Sequence, residues 1–295
     1  MLAHMHQAKS LLGSATPSFE SYFHARKEKY GYVFLGTRYG NAQLPQVELA
    51  DILRDKKRNL LKQGFTARLR EAIQQRLERQ EQVLLFQNRR GYAPYLSCDA
   101  CGWVPECVQC DVNLTYHQAI ASLNCHYCGF KDGLPAQCPA CGSAKLSPVG
   151  LGTERLEEDV SLLFPEARVA RMDLDTTRSK YGFQQLLEEF AAGHIDILVG
   201  TQMITKGLDF ERVTLVGVMD ADRILNFPDF RSSERAFSQL LQVGGRAGRR
   251  EKAGEVIIQT RRPDHPLFQW VIGSDYHALY LEDMRIAKSI CTRPL

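Results

Sequence analysis

Eight of the nine cysteines fall within residues 98–141 as four C-x-x-C pairs: Cys98/Cys101, Cys107/Cys110, Cys125/Cys128 and Cys138/Cys141. A C-x-x-C turn puts two thiolates on one side of a tight loop, which is half of a tetrahedral zinc site. Four such turns supply two four-cysteine sites. Gly102, Gly129 and Gly142 directly follow three of the second cysteines, where a positive φ is often needed.

Three pairings of the four turns are possible. A sequential pairing must fold back through the five residues between Cys101 and Cys107, which is tight. A nested pairing joins Cys107/Cys110 to Cys125/Cys128 across a 14-residue hairpin and closes Cys98/Cys101 and Cys138/Cys141 around it. The inner spacing is near the C-x2-C-x15–20-C-x2-C zinc pattern, so nesting is favoured. A redox role would call for one exposed pair at a helix start. Iron–sulfur ligation stays open as an alternative. Complete sets of four cysteines leave no free coordination position, which makes any zinc here structural. His117 and His126 are read as non-ligands, and Cys291 as an incidental thiol. Trp103, Tyr116 and Tyr127 lie among the turns and suit packing on a small core, or stacking on unpaired bases if exposed.

Two further segments can do chemistry. GTQMITKGLDF (200–210) follows an apolar run. Gly200 and Thr201 can offer donors to phosphate, Lys206 adds charge, Gly207 permits close backbone approach, and Asp209 can bond a ribose or an arginine. QVGGRAGRR (242–250) carries Arg246 and Arg249 three apart, a spacing that lets two guanidiniums share one side of a helical turn and stabilise charge on a γ-phosphate. GSATPS (13–18) is read as a small-residue turn after an apolar strand. Each of these, alone, also fits an ordinary loop.

These residues need a frame. VLLF (83–86), RVARM (168–172), DILVG (196–200), VTLVGVM (213–219) and EVIIQ (255–259) are strand-length apolar runs alternating with helical patterns, which predicts a parallel α/β sheet covered on both faces. The cysteine block interrupts this alternation after its first strand and is read as an insertion. Phe65, Leu69, Ile73 and Leu77 recur every four residues on one helix face. The stretch Arg54–Arg79 holds nine Lys/Arg against three Asp/Glu, read as a solvated face or a phosphate-facing stripe. YGYVFLGTRYG (30–40) could be strand, and the residues from Asp275 onward read as a final helix.

The 295 residues carry 37 basic and 34 acidic side chains, a formal charge of +3, which allows a nucleic-acid partner without demanding one. No apolar run reaches the roughly 18 residues of a membrane span and no secretory signal is present, so a cytoplasmic setting without membrane contact is expected. There, paired cysteines hold metal more often than disulfides.

Taken in order, GSATPS, GTQM..KG.DF and QVGGRAGRR resemble motifs III, V and VI of superfamily-two helicases. With NRRGYAPYLSC (88–98), the four C-x-x-C pairs, GLGTERLEE (150–158) and DFRSSERAF (229–237), nearly the whole chain is similar to the PriA family of primosomal replication-restart helicases. The resemblance implies a P-loop NTPase-like, RecA-like second helicase lobe with a zinc-ribbon-like module inserted in it. It divides the chain into the tail of a first lobe and a linker (1–50), the start of the second lobe (51–95), the two-zinc insertion (96–148), the rest of the lobe (149–275) and a helix toward a further domain (276–295).

It also implies nested zinc pairing, with Cys98, Cys101, Cys138 and Cys141 as one site and Cys107, Cys110, Cys125 and Cys128 as the other. Arg246 and Arg249 would complete an ATP site from across a cleft, with Gln242, Gly207 and Asp209 facing nucleotide. Thr16, Thr201 and Lys206 would couple DNA to ATP. The function implied is ATP- and Mg2+-dependent 3'-to-5' unwinding of branched DNA during replication restart. Single-stranded DNA, single-stranded DNA-binding protein and other primosome proteins would be partners, in a nucleoid-associated, cytoplasmic setting. The sequence contains no G-x-x-x-x-G-K-[ST] loop and no DEAH-like motif before GSATPS, so it reads as a fragment that should not hydrolyse ATP alone. Two other classes fit less of the pattern: a zinc-dependent DNA- or protein-binding module, and a DNA-dependent ATPase that does not unwind.

Overall fold

The computed structural model describes residues 2–36, 44–88, 95–110, 112–117, 121–149, 156–172, 180–201, 210, 212–248 and 254–291. They divide into two compact units, Met1–Thr37 with Asp275–Leu295, and Arg38–Ser274.

The larger unit is built on six parallel strands: β1 (Gln46–Asp51), β2 (Gln82–Phe86), β8 (Val169–Met172), β9 (Ile197–Gly200), β10 (Val213–Val218) and β11 (Glu255–Thr260). Their spatial order is β1-β11-β10-β2-β9-β8. Every residue of β2 and β10 is buried, because helices cover both faces of a parallel sheet. On one face lie α4 (Ala67–Glu78) and α5 (Leu156–Leu163). There Phe65, Leu69 and Ile73 meet Val83, Leu85, Val160 and Leu215. The four-residue spacing thus buries one stripe, and Thr66 caps it by accepting from the Leu69 amide. Gly217 lets α4 approach closely, since a Cβ there would meet Leu69 Cδ1 of α4 at 3.0 Å.

The other face carries α8 (Ser232–Gly244), with buried Ala236, Phe237, Leu240 and Val243, and Gly244 lies over Val256. The remaining helices of this unit are α3 (Ile52–Lys57), α6 (Lys180–Ala192), α7 (Asp222–Leu225) and α9 (Pro266–Gly273), the last packed on α8 and β1. The boundary drawn at residue 50 falls inside β1, which pairs with β11 from Gln46 onward; its mixed composition hid an edge strand.

Between β2 and α5 the chain leaves the sheet. It forms β3 (Tyr95–Cys98) paired antiparallel with β7 (Leu146–Val149), and a three-stranded sheet of β4 (Thr115–His117), β5 (Ser122–Asn124) and β6 (Lys131–Gly133). The insertion does hold a small apolar cluster, with Leu96, Val112, Leu114 and Leu123 buried.

The smaller unit contains α1 (Leu2–Met5), α2 (Phe19–Arg26) and α10 (Tyr276–Cys291), the last matching the expected final helix. Tyr22 is buried edge-on against Tyr276 and Tyr280. The strand expected before GSATPS is not formed: residues 8–14 make no ladder, and Leu11 and Leu12 are exposed. Residues 31–36 of the other expected strand are likewise irregular, with Val33, Phe34 and Leu35 exposed. A strand needs a partner for its peptide groups, and no described strand pairs with either segment.

Candidate metal centre and motor motifs

The knuckles repeat one backbone design. In each of three, the amide after the second cysteine donates back to the first cysteine's carbonyl: Gly102 to Cys98 at 2.8 Å, Gly129 to Cys125 at 3.1 Å and Gly142 to Cys138 at 2.8 Å. The φ angles of those glycines are +76°, +76° and +72°, the left-handed region that glycine adopts without steric cost. The first cysteine's amide closes the loop onto the carbonyl five residues on, Cys98 to Trp103, Cys125 to Phe130 and Cys138 to Ser143, and Cys107 to Val112 repeats it.

Folding brings the knuckles together in the nested pattern. Cys98, Cys101, Cys138 and Cys141 form one group and Cys107, Cys110, Cys125 and Cys128 the other, with all sulfurs of a group within 4.8 Å of one another. The Sγ···Sγ distances are 3.6 Å for Cys98–Cys141, 3.7 Å for Cys101–Cys138 and 3.5 Å for Cys107–Cys128. A disulfide needs about 2.05 Å. Four sulfurs at about 2.3 Å from a central zinc stand roughly 3.8 Å apart. The donor set and its spacing therefore fit a tetrahedral metal ion in each group.

Burial opposes ionisation of Cys98, yet amide donors from Ala100 and Cys101 bring its thiol down to about 7. Cys125 reaches about 7 in the same way, against its burial, through Cys128 and Tyr127. Burial and the neighbouring sulfurs push Cys101 and Cys110 up to about 12. A bound cation reverses that preference and draws all four as thiolates. His117 and His126 pack on each other at 5.3 Å and belong to neither group. Tyr116 packs on the module's core, while half-exposed Tyr127 stands edge-on to Phe230.

The module is seated on the sheet by a cluster that sequence reasoning missed. The Asp222 carboxylate, 2% exposed, accepts from Thr260 Oγ1 at 2.9 Å and the Arg261 amide at 2.7 Å. Arg261 also pairs with Asp220 at 3.1 Å. Burial, then repulsion from Asp220, pushes the Asp222 carboxyl up to about 6. Tyr95, first residue of the insertion's β3, is buried beside these groups, and burial followed by Asp220 raises its phenol. Two aspartates flanking Ala221 just after the apolar run of β10 were the available signal.

Thr201 and Arg246, from the other two candidate segments, separate onto two edges of the sheet. Thr201 follows the carboxyl end of β9, where its amide approaches Met172 O at 3.4 Å. Arg246 lies just past the end of α8, in a turn where its amide donates to Val243 O at 3.0 Å. Gly245 caps the helix, and Gly248, at φ +67°, turns the chain so that its amide donates to Val213 O at the amino end of β10. Gly254 packs directly on the Ala247–Gly248 peptide, with no room for a Cβ. Gly200 is level with Phe86, and Gln82 with Val213. The two edges are thus four residues apart, roughly 13 Å. Gln242 is exposed and donates to Ser238 Oγ at 3.0 Å. Thr16 lies in the smaller unit, its amide on Ser14 Oγ at 3.1 Å. Lys206, Gly207, Asp209 and Arg249 lie outside the described residues.

Comparison with known proteins adds to this geometry. Residues 152–251 match the helicase conserved C-terminal domain, and residues 107–132 match the PriA DNA helicase Cys-rich region. A parallel RecA-like lobe with a cysteine-rich ribbon spliced into it defines the class: the C-terminal lobe of a helicase. Relatives narrow it further. The chain is 46% identical over 282 residues to the replication restart protein PriA of Bacillus subtilis, 43% over 294 residues to that of Synechocystis, and 43% over 284 residues to that of Haemophilus influenzae. Each alignment covers 96% of this chain and 35%, 35% and 38% of the relative. Over 96% of its length the chain is thus similar to PriA proteins, and it spans little more than a third of the length of these relatives. Among the described residues, no helix is long and apolar enough to cross a membrane.

Proposed function

We propose that the intact protein is an ATP-dependent DNA helicase of replication restart, translocating 3'-to-5' on branched DNA. This chain supplies its second motor lobe and a module holding two Zn2+ ions. The observation that carries the reading is the pair of nested four-cysteine groups inserted directly after β2 of a parallel helicase lobe. In this reading the residues before β1 end the first lobe, the lobe runs from β1 to residue 95 and through 149–275 around the zinc insertion at 96–148, and 276–295 leads to a further domain.

Arg246 and Arg249 stabilise charge on the γ-phosphate of ATP, held with Mg2+ by the other lobe. Gln242, Gly207 and Asp209 face the nucleotide. Thr201, Lys206 and Thr16 couple it to DNA. The placement of Arg246 and Thr201 on opposite edges supports this division of labour, because translocation requires nucleotide and strand to occupy separate faces of one rigid lobe. Single-stranded DNA, single-stranded DNA-binding protein and other primosome proteins are the partners, at the nucleoid in the cytoplasm.

The test is ATP turnover and strand displacement on a forked substrate by the full-length protein. Arg246→Ala and Arg249→Ala are expected to lower turnover by roughly 10³-fold or more, as for arginine fingers elsewhere, with DNA binding retained. Unchanged turnover would remove the two arginines from the ATP site, absence of turnover in the unmutated full-length protein would make it a binding module, and turnover without displacement a remodelling ATPase. The isolated chain is expected to show no ATPase.

A further inference from the structure

A groove of about 540 Å³ lies where the outer metal site meets the lobe. Its floor is the carboxyl edge of β1 and β11, where Asp51 stands opposite Thr260. One side is α3, which starts directly after β1 and presents Arg54, Lys57 and Arg58. Residues three and four apart share a helix face, so these three cations line one wall. The facing wall is Arg262 with Ala100 and Cys101 of the first knuckle. The two walls are fixed to each other. Lys56 pairs with Asp99 at 3.0 Å, and a Cβ on Gly102 would meet Arg261 O and Arg262 Cγ at 3.1 Å.

The charges in this groove are not consumed by the fold. Lys56 and Arg261 have carboxylate partners, but among the described residues Arg54, Lys57, Arg58 and Arg262 have none. The nearest lining acids are otherwise disposed: the Asp51 carboxylate accepts from the Arg54 amide to cap α3, and Asp264 is turned to solvent. Cationic side chains outnumber aliphatic ones in the lining, which suits an anion better than an apolar peptide side chain. The groove lies on the same edge of the sheet as Thr201, away from Arg246.

We infer that this groove grips the sugar–phosphate backbone of a single nucleic-acid strand, and that the outer metal site serves as one of its walls. The inference rests on the reading of DNA as the substrate and extends the strand's path from Thr201 across β2, β10 and β11 to the groove. Cations spaced along one wall neutralise successive phosphates and displace their counterions, so the contribution is independent of sequence and falls with salt.

The test is binding of a fluorescent oligothymidylate to the metal-loaded chain across a salt titration. An Arg54→Ala/Lys57→Ala/Arg58→Ala variant is compared with Lys62→Ala/Arg79→Ala, which removes two cations of the same stretch outside the groove. All five side chains are exposed, and two bound metal ions per chain plus an unchanged melting curve check the fold. The groove variant is expected to bind at least tenfold more weakly, and the slope of log K against log salt to fall by about two, at roughly 0.7 per phosphate contact. The control variant should keep the wild-type slope. Wild-type affinity and slope in the groove variant would overturn the groove while leaving DNA as the substrate. Failure of the unmutated chain to bind the oligonucleotide would remove both. Loss of binding to a polyglutamate peptide with oligonucleotide binding intact would hand the groove to an acidic protein partner and overturn the inference.

Discussion

The parallel lobe and its insertion reach order by different routes. In the lobe, six strands and the flanking helices bury Phe65, Leu69, Ile73, Leu84, Leu85, Phe86, Phe237 and Phe268 completely. Its stability is spread over many buried apolar side chains, each worth about 1.5–3 kcal/mol. In the insertion, five strands of three or four residues each and a handful of aliphatic side chains cannot bury enough surface to hold a chain in place. There the structure sets two groups of four sulfurs at metal-binding spacing. Coordination by such groups can hold a small appendage rigid without enlarging the core of the lobe that carries it.

If that contrast is right, removing metal should produce the largest and most local effect. Each four-cysteine site is expected to contribute on the order of 10 kcal/mol to folding. Chelation, or Cys125→Ser, should therefore strip amide-exchange protection from residues 95–149 while protection in β2, β10 and β11 persists. Metal analysis should find two ions per chain before treatment. Loss of protection throughout the sheet on chelation would abolish the distinction between the two regions.

Packing in the lobe should give the next largest effect. Leu69→Ala removes a fully buried side chain between α4 and the sheet and is expected to cost about 3–5 kcal/mol in urea unfolding. The metal content should stay at two ions per chain. Loss of metal from the variant would mean that the module's sulfurs depend on the lobe's core.

The smallest effect sharpens the seam between the regions. Gly102 and Gly142 have nearly the same φ, +76° and +72°, but Gly142 faces open space while Gly102 lies against Arg261 and Arg262. Alanine at either position carries the left-handed penalty of about 1–2 kcal/mol. Gly102→Ala should lose more, since it also pushes the first knuckle off the lobe. Equal losses, measured by thermal melting, would show that the seam is loose.

Much of this architecture is legible in the sequence because it is written in short-range pattern. Apolar runs such as VLLF and VTLVGV announce strands buried on both faces, and the spacing of Phe65, Leu69 and Ile73 announces the face of α4. The expectations for 8–14 and 30–36 fail for the complementary reason. Apolar runs mark a strand only if another strand accepts its peptide groups, and that depends on chain far away. The edge strand β1, alternating Val47, Leu49 with Gln46, Glu48, gives no continuous apolar run because half of its residues are polar. The seam of Tyr95, Asp222 and Arg261 unites residues up to 166 positions apart and leaves only a pair of aspartates as its trace.

By itself the sequence determined that four C-x-x-C turns could supply two four-sulfur groups, and it favoured the nested pairing of them. A C-x-x-C turn with a following glycine closes on its own carbonyls, and a short hairpin allows few partners for each turn. It also determined that a covered parallel sheet surrounds them. Tertiary structure alone decided that Thr201 and Arg246 stand on opposite edges, and that one knuckle meets α3 to enclose a row of cations. Edges and grooves arise from long-range closure of the sheet, where residues distant along the chain become neighbours and local spacing carries no information about which.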